Sequence, residues 1–319
     1  MTRGDDGTAR STAAVCREHS RLEPDERSMQ VLYSSAMSGQ PHHEDLPPVS
    51  TVGDDLVGAD TLISSRHPAI RRVADVLRNA GDERQRLIIV DDSENILAAI
   101  QNKLRIDSLY LTPDHALPHE LRRSLPTDVP IHTVSPDVAK TVFKTEKRPR
   151  LFALAHRPSP KKLHELSNTQ GDIVVLDGVR LAGNVGAIVR TARAFDAAGV
   201  VLVDSGIVNS MDRRLVRASR GAVFTLPIVL AKAEELIGFL QDTGLLMISM
   251  SAHAGLALSE LRTLQQRVAI LLGSEKRGSS LYLEDHVTER YRVRTNPQIE
   301  SLNVSVAAAL ALYERQKRE

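Results

Sequence analysis

From Arg66 onward the chain alternates between two hydrophobic periods. Ile70, Val73, Val76 and Leu77 recur at helical spacing behind His67-Pro68, which predicts a helix with proline in its first turn. Leu87-Ile88-Ile89-Val90 reads as a strand. It is followed by a helix capped at Asp92 or Ser93 and running to about Leu104, a strand near 108–111, a short helix near 118–124 and a strand at 131–134. Short strands and helices in strict alternation imply a small α/β domain over 59–156. Arg157-Pro158-Ser159-Pro160-Lys161-Lys162 opens a linker over 157–169, because two prolines exclude a helix and the polar neighbours exclude a core. Beyond it the strands become longer and more apolar: 173–176, 200–203, 226–230, 245–250 and 268–272. Runs apolar on both faces predict a buried parallel sheet covered by helices over 170–319. A last helix from near Ser301 carries Leu302, Val306, Ala309, Leu310 and Tyr313, a stripe that must pack on something. Residues 1–58 are rich in Ser, Asp, Glu, Gly and Pro, hold only a short candidate helix near Met29–Met37, and are expected to be a flexible extension.

Composition narrows the class. The chain has 319 residues, 41 Lys+Arg against 40 Asp+Glu, and one cysteine, so an internal disulfide and a four-thiolate zinc site are both excluded. No apolar run approaches the roughly 20 residues a membrane span needs, and the acidic start lacks a secretory core, which predicts a soluble cytoplasmic protein without membrane contact. A net charge of +1 argues against a wholly basic nucleic-acid binder but leaves local patches open. With no Trp and five each of Phe and Tyr, recognition of RNA by base stacking is disfavoured against recognition by shape and phosphate contacts.

Three segments carry candidate chemistry. Asp177-Gly178-Val179-Arg180-Leu181-Ala182-Gly183-Asn184-Val185-Gly186 follows a strand and leads into a helix, where a phosphate loop would sit. Gly178 and Gly183 have Walker A spacing, yet Asn184-Val185 replaces the Lys-Ser/Thr pair, and no G-x-G-x-x-G is present, so nucleotide triphosphatase and ordinary Rossmann readings are weak. Arg190 lies on that helix among Ile188, Val189, Ala192 and Ala194, which favours a placed arginine over a merely solvated one. The second segment, Leu272-Gly273-Ser274-Glu275-Lys276-Arg277-Gly278, ends the most apolar strand, where glycines allow a ligand close to the backbone. The third, Ser301-Leu302-Asn303-Val304-Ser305-Val306, puts Asn303 and Ser305 into an apolar helix at a cost in propensity that a cap or a site must justify. His42-His43-Glu44-Asp45 falls in the extension and no helical His pair has metal-ligand spacing, so no metal is implied.

Asn184-x-Gly186-x-x-x-Arg190-Thr191, Leu272-Gly273-Ser274-Glu275 and Ser301-Leu302-Asn303-Val304-Ser305-Val306-Ala307 closely resemble the three ordered motifs of the SpoU (TrmH-like) branch of the SPOUT RNA ribose methyltransferases. Asp212-Arg213-Arg214-Leu215-Val216-Arg217-Ala218-Ser219-Arg220-Gly221 and Phe143-Lys144-Thr145-Glu146-Lys147-Arg148 extend the resemblance to the thiostrepton- and nosiheptide-resistance enzymes of actinomycetes, from about residue 60 to the C-terminus. The resemblance implies a C-terminal α/β trefoil-knot domain that binds S-adenosylmethionine, a ribosomal-protein-like N-terminal α/β domain that captures RNA, and a homodimer built on the last helix. It implies 2′-O-methylation of one adenosine of 23S rRNA, giving thiopeptide resistance. The alternatives are a relative acting on tRNA or another rRNA site and a catalytically silent RNA binder. Carried over by position, Arg190, Asn184, Glu275 and Asn303 are the expected catalytic group. Met250, Gly273, Ser274, Glu275, Val293, Leu302, Ser305 and Arg220 are expected to hold the cofactor. Lys144, Lys147, Arg148, Arg213, Arg217 and Arg220 are the expected RNA contacts.

Overall fold

A computed structural model of the chain describes residues 61–316 apart from 63, 83, 145–147, 297 and 300. The segment with the candidate helix near 29–37 lies outside the described residues, as does Lys147. Residues from Val57 on belong to one compact unit, built on two sheets.

The first sheet contains β1 (Thr61–Leu62), β2 (Leu87–Asp91), β3 (Ile106–Leu111), β4 (Ile131–Val134) and β5 (Leu151–His156), in the order β1-β4-β3-β5-β2. β5 runs antiparallel to both of its neighbours, whereas β1, β4 and β3 pair in parallel. Helix α1 (Pro68–Arg78) begins where expected. His67 Nδ1 accepts from the Ala69 amide at 3.3 Å, and Ile70, Val73 and Val76 turn inward. Helix α2 (Ser93–Gln101) stops short of Leu104, because Lys103 takes a left-handed conformation with φ 61°. Helix α3 (His119–Ser124) is the expected short one.

Helix α4 (Pro136–Phe143) and strand β5 go beyond the elements read from the sequence. Ser135 caps α4 by accepting from the Val138 amide at 3.3 Å, with Pro136 in the first turn. β5 is buried on both faces, so its short apolar run lacks the alternation that marks a half-exposed strand. Phe152 of β5 stacks on Tyr110 of β3 at 4.8 Å between centroids, and Phe143 meets its edge at 5.1 Å.

The second sheet is parallel throughout. It holds β6 (Ile173–Asp177), β7 (Gly199–Val203), β8 (Ile228–Leu230), β9 (Leu246–Met250), β10 (Leu256–Ala257), β11 (Val268–Gly273) and β12 (Val287–Arg292), ordered β10-β12-β9-β11-β6-β7-β8. Alternate residues of one strand feed opposite faces. Val174, Leu176, Ile270 and Leu272 join one apolar cluster with helix α5 (Ala182–Ala194), while Ile173, Val175, Ala269 and Leu271 join another with helix α7 (Ala233–Thr243). The first cluster continues without a break into Val90 and Ile96 of the N-terminal part. Helix α6 (Arg213–Ala218) packs between, with the short α8 (Leu281–Glu284) and the final α9 (Val304–Gln316) completing the cover. α5 approaches α6 so closely that a Cβ on Gly186 would lie 2.4 Å from the Ala218 Cβ.

β11 inserts between β9 and β6, so two strands far apart in sequence become neighbours, with Gly273 opposite Asp177. All carboxyl ends fall on one edge, and this change of strand order puts the loops after β6 and β11 side by side, the usual place for a ligand in a parallel sheet. No helix among the described residues is long and apolar enough to cross a membrane.

Candidate active site

The loop after β11 is a closed turn. The Ser274 amide donates to the Gly278 carbonyl at 3.0 Å and the Gly278 amide returns a bond to the Ser274 carbonyl at 2.8 Å. Gly278 sits at φ 69°, and a Cβ on Gly273 would fall 2.0 Å from the Ser279 nitrogen, so both glycines are required by geometry. The buried Asp177 carboxylate accepts from the Ser280 amide at 2.6 Å and ties the turn to the end of β6. On the other flank Ser279 Oγ donates to Glu284, whose carboxylate also accepts from Ser249 Oγ at 3.4 Å and Arg290 Nε at 3.0 Å.

This turn forms one wall of a cavity of about 460 Å³. Its apolar surface comes from Met250, Leu272, Val293, Leu302, Val304 and Ala307, and its polar groups include Ser274, Glu275, Ser279 and Glu284. The size and the mainly apolar wall with a few convergent polar groups match a small-molecule or cofactor site of roughly 300–1,000 Å³. Tyr291 also borders it; burial, and then the hydrogen bond its hydroxyl donates to Glu289, push its pKa up, so it stays a neutral phenol.

At the edge of the cavity three elements meet in one carboxamide and carboxylate cluster. Glu275 Oε1 accepts from Asn303 Nδ2 at 2.7 Å, from Asn184 Nδ2 at 3.3 Å and from the Val304 amide at 3.4 Å. Asn303 Nδ2 also lies 3.4 Å from Asn184 Oδ1. Asn303 is at the same time the cap of α9, since its Oδ1 accepts from the Ser305 amide at 2.9 Å and from Ser305 Oγ. That double use explains two polar residues inside an apolar helix.

Of the expected cofactor residues, Met250, Gly273, Ser274, Glu275, Val293 and Leu302 border the cavity. Ser305 does not; it completes the cap through Asn303. Arg220 is likewise absent from the cavity wall. It holds a left-handed conformation, φ 50°, on the loop after α6, with the Glu94 carboxylate of α2 4.0 Å away. Arg190 is exposed on α5 and makes no hydrogen bond or ion pair with any of the described residues.

The arginine-rich segment departs from expectation most. Arg213 is 9% exposed, its Nε contacts both oxygens of Asp91 at 2.9–3.0 Å, and its guanidinium lies 4.5 Å from the Phe143 ring centre. Arg217 shares the same carboxylate at 3.6 Å. Both join α6 to β2; Arg213 is buried and does not present itself to a phosphate, whereas Arg217 stays 27% exposed. Burial drives the Asp91 carboxyl up to about 6 in spite of the two arginines, so the pair is strongly desolvated. Lys144 and Arg148 are exposed, as an RNA contact requires.

Ser279, Glu284, Lys276, His253 and Tyr291 also line the cavity and were not singled out from sequence. Most follow from β12 and the turn before α8. In β12 the exposed Thr288, Arg290 and Arg292 alternate with the more buried Val287, Glu289 and Tyr291, and four polar residues in six hide the strand.

Residues 172–313 match the SpoU rRNA Methylase family and residues 59–169 match the thiostrepton-resistance methylase N terminus. The chain is 38% identical over 264 residues to a 23S rRNA (adenosine(1067)-2′-O)-methyltransferase of Streptomyces laurentii, covering 82% of this chain and 97% of that one. A crystal structure of an RNA 2′-O ribose methyltransferase superposes with TM-score 0.67 and 25% identity over 81% of this chain and 98% of the other. An AdoMet-bound rRNA methyltransferase from Sinorhizobium meliloti superposes with TM-score 0.65 and 22% identity over 81% and 97%. The fold is that of the SPOUT methyltransferases, the parallel α/β trefoil-knot class behind a small α/β domain. The chain belongs to the SpoU rRNA methylase family.

Proposed function

We propose that the chain transfers a methyl group from S-adenosylmethionine to the 2′-hydroxyl of one adenosine in 23S rRNA, and that this mark confers resistance to thiopeptide antibiotics. The observation that carries the reading is the meeting of Asn184, Glu275 and Asn303 at the edge of a cofactor-sized cavity, in a chain that covers 97% of the Streptomyces laurentii enzyme. The match of residues 59–169 to the thiostrepton-resistance N terminus supports the antibiotic.

The cavity fits S-adenosylmethionine in size and chemistry, with apolar walls at Leu272, Val293 and Leu302 and main-chain groups of the 273–278 turn. When bound, that cofactor supplies an electrophilic methyl. The chain's own task is alignment, which accounts for much of the acceleration in a displacement of this kind. Glu275 locks Asn184 and Asn303 in one orientation, so both amides are fixed before the ribose arrives. Arg190 acts through its planar guanidinium fork, holding the phosphate next to the target ribose and stabilising charge on the attacking oxygen. A phosphate oxygen or water takes the hydroxyl proton. Residues 59–156 capture the RNA, with Lys144 and Arg148 as contacts, and residues 170–319 carry the transfer. Two copies associate through α9, on which Val306 and Tyr313 are 46% and 48% exposed. The chain works in the cytoplasm.

The test is incubation of the purified chain with tritium-labelled S-adenosylmethionine and unmodified 23S rRNA, then mapping of alkali-resistant linkages. One methylated adenosine at the thiopeptide site is expected. Label in tRNA or elsewhere in rRNA overturns the target, and absence of transfer from a chain that binds the cofactor overturns the activity. An Arg190→Lys enzyme at full rate with unchanged RNA affinity would overturn the role given to Arg190, since lysine lacks the planar fork.

A further inference from the structure

The geometry points to a phosphate track at the mouth of the cavity, made by Lys276 and Arg277 on one side and Arg292 and Arg294 on the other, which grips the RNA backbone flanking the target ribose. It rests on the reading above that this chain acts on RNA. None of the four cations is among the RNA contacts expected from the sequence.

Their surroundings distinguish them from the paired cations of the chain. Arg213 and Arg217 are held by Asp91, Arg315 by Asp172, Arg290 by Glu284 and Arg262 by Glu314. Lys276, Arg277, Arg292 and Arg294 are all exposed, and none lies within ion-pair distance of a carboxylate among the described residues. The acids closest in sequence are engaged elsewhere. Glu275 is turned to Asn184 and Asn303, Glu284 to Ser279, Ser249 and Arg290, and Glu289 to Tyr291. An unscreened cation beside a cavity is an electrostatic attractor for an anion.

Position follows from topology. Every strand of the second sheet points the same way, so the segments leaving β11 and β12 emerge on one edge, separated only by β9. Lys276 borders the cavity and Arg277 follows it in the turn closed by the reciprocal Ser274 and Gly278 bonds, so both project from a short rigid loop. On the opposite side Val293 and Thr295 face the cavity. Arg292, the last residue of β12, and Arg294 just beyond it alternate in sequence with these two. A nucleotide whose ribose reaches the edge of the cavity carries one phosphate on each side of that ribose. Two pairs of free cations on two sides of one mouth match this arrangement, and a backbone contact of this kind needs no aromatic platform.

The experiment compares the full-length chain with Lys276→Ala/Arg277→Ala, Arg292→Ala/Arg294→Ala and the charge-keeping Arg292→Lys/Arg294→Lys. RNA affinity is measured against a 23S rRNA transcript over a series of salt concentrations, and S-adenosylmethionine affinity by calorimetry. Each alanine pair should lower the slope of log K against log salt by about 1.4–1.8 and weaken binding roughly 25- to 60-fold at about 0.1 M salt, as expected for two lost phosphate contacts. Cofactor affinity should not change in the two Arg292/Arg294 variants, whose side chains lie outside the cavity wall, and the lysine pair should retain the slope. Slopes equal to wild type in both alanine pairs overturn the track, as does a loss of cofactor affinity with RNA binding intact. A wild-type chain that binds the transcript with the full slope yet transfers no methyl defeats the proposed activity and leaves the track standing. A chain that binds no RNA defeats both.

Discussion

Replacing Arg315 by methionine removes the cation that anchors the far end of α9, the helix whose first residues enter the site. Arg315 is 2% exposed, and its guanidinium donates to Asp172 at 2.8 and 3.1 Å and to the carbonyls of Leu261, Leu264 and Gln266 at 2.9, 2.5 and 2.7 Å. Methionine keeps most of the apolar volume, so the cost is electrostatic and not a cavity. Asp172, itself 3% exposed, would be left as a buried carboxylate without its cation, a loss of about 3–5 kcal/mol. Each carbonyl that water cannot reach adds about 1–3 kcal/mol. The lower figure alone is a large share of the roughly 5–15 kcal/mol that holds a typical domain together. At about 2–4 °C per kcal/mol for a unit of this size, the melting temperature should fall by roughly 10 °C. Urea titration followed by circular dichroism gives the free energy. The double variant Asp172→Asn/Arg315→Met should recover part of the loss, because the buried charge has then gone as well. A single variant destabilised by less than about 1 kcal/mol, or a double variant no more stable than the single, would refute the reasoning.

The Asp91 carboxyl, raised by burial from the ordinary 3.8 to about 6, binds a proton more tightly in the folded chain than in the unfolded one. Stability from this group is therefore greatest below about pH 4 and declines as pH rises to about 6, by up to about 3 kcal/mol; urea midpoints of wild type and Asp91→Asn between these values should diverge, and parallel profiles would contradict the assignment. Gly273→Ala places a Cβ 2.0 Å from the Ser279 nitrogen and must open the turn, so S-adenosylmethionine affinity measured by calorimetry should drop at least tenfold while the far-ultraviolet spectrum is retained. Asn303→Asp keeps an oxygen for the α9 cap but sets a second carboxylate against Glu275, so methyl transfer should fall with little change in melting temperature, whereas Asn303→Ala should also cost about 1 kcal/mol of stability.

How much of this was legible in the sequence depended on whether the determining interaction was local. The buried strands β6, β7, β9 and β11 show as apolar runs, and the glycines of the 273–278 turn show as glycines, because both constraints act within a few residues. The Asn184, Glu275 and Asn303 cluster spans 119 residues and was visible only because its motifs resemble a family. Charge pairing had no such help. Arg190 and Arg213 both lie in helical segments beside apolar residues, Ile188 and Val189 in one case, Leu215 and Val216 in the other. One is exposed without a partner among the described residues, and the other is buried against a carboxylate 122 residues away. Nothing within either helix separates these outcomes, since the acid that decides between them arrives with the tertiary fold. The same reasoning runs in reverse for β12. Arg292 and Arg294 look like an ordinary solvated face in sequence, and become candidate RNA contacts only because the parallel sheet brings their end of the strand to the mouth of the cavity while the nearby carboxylates are engaged elsewhere.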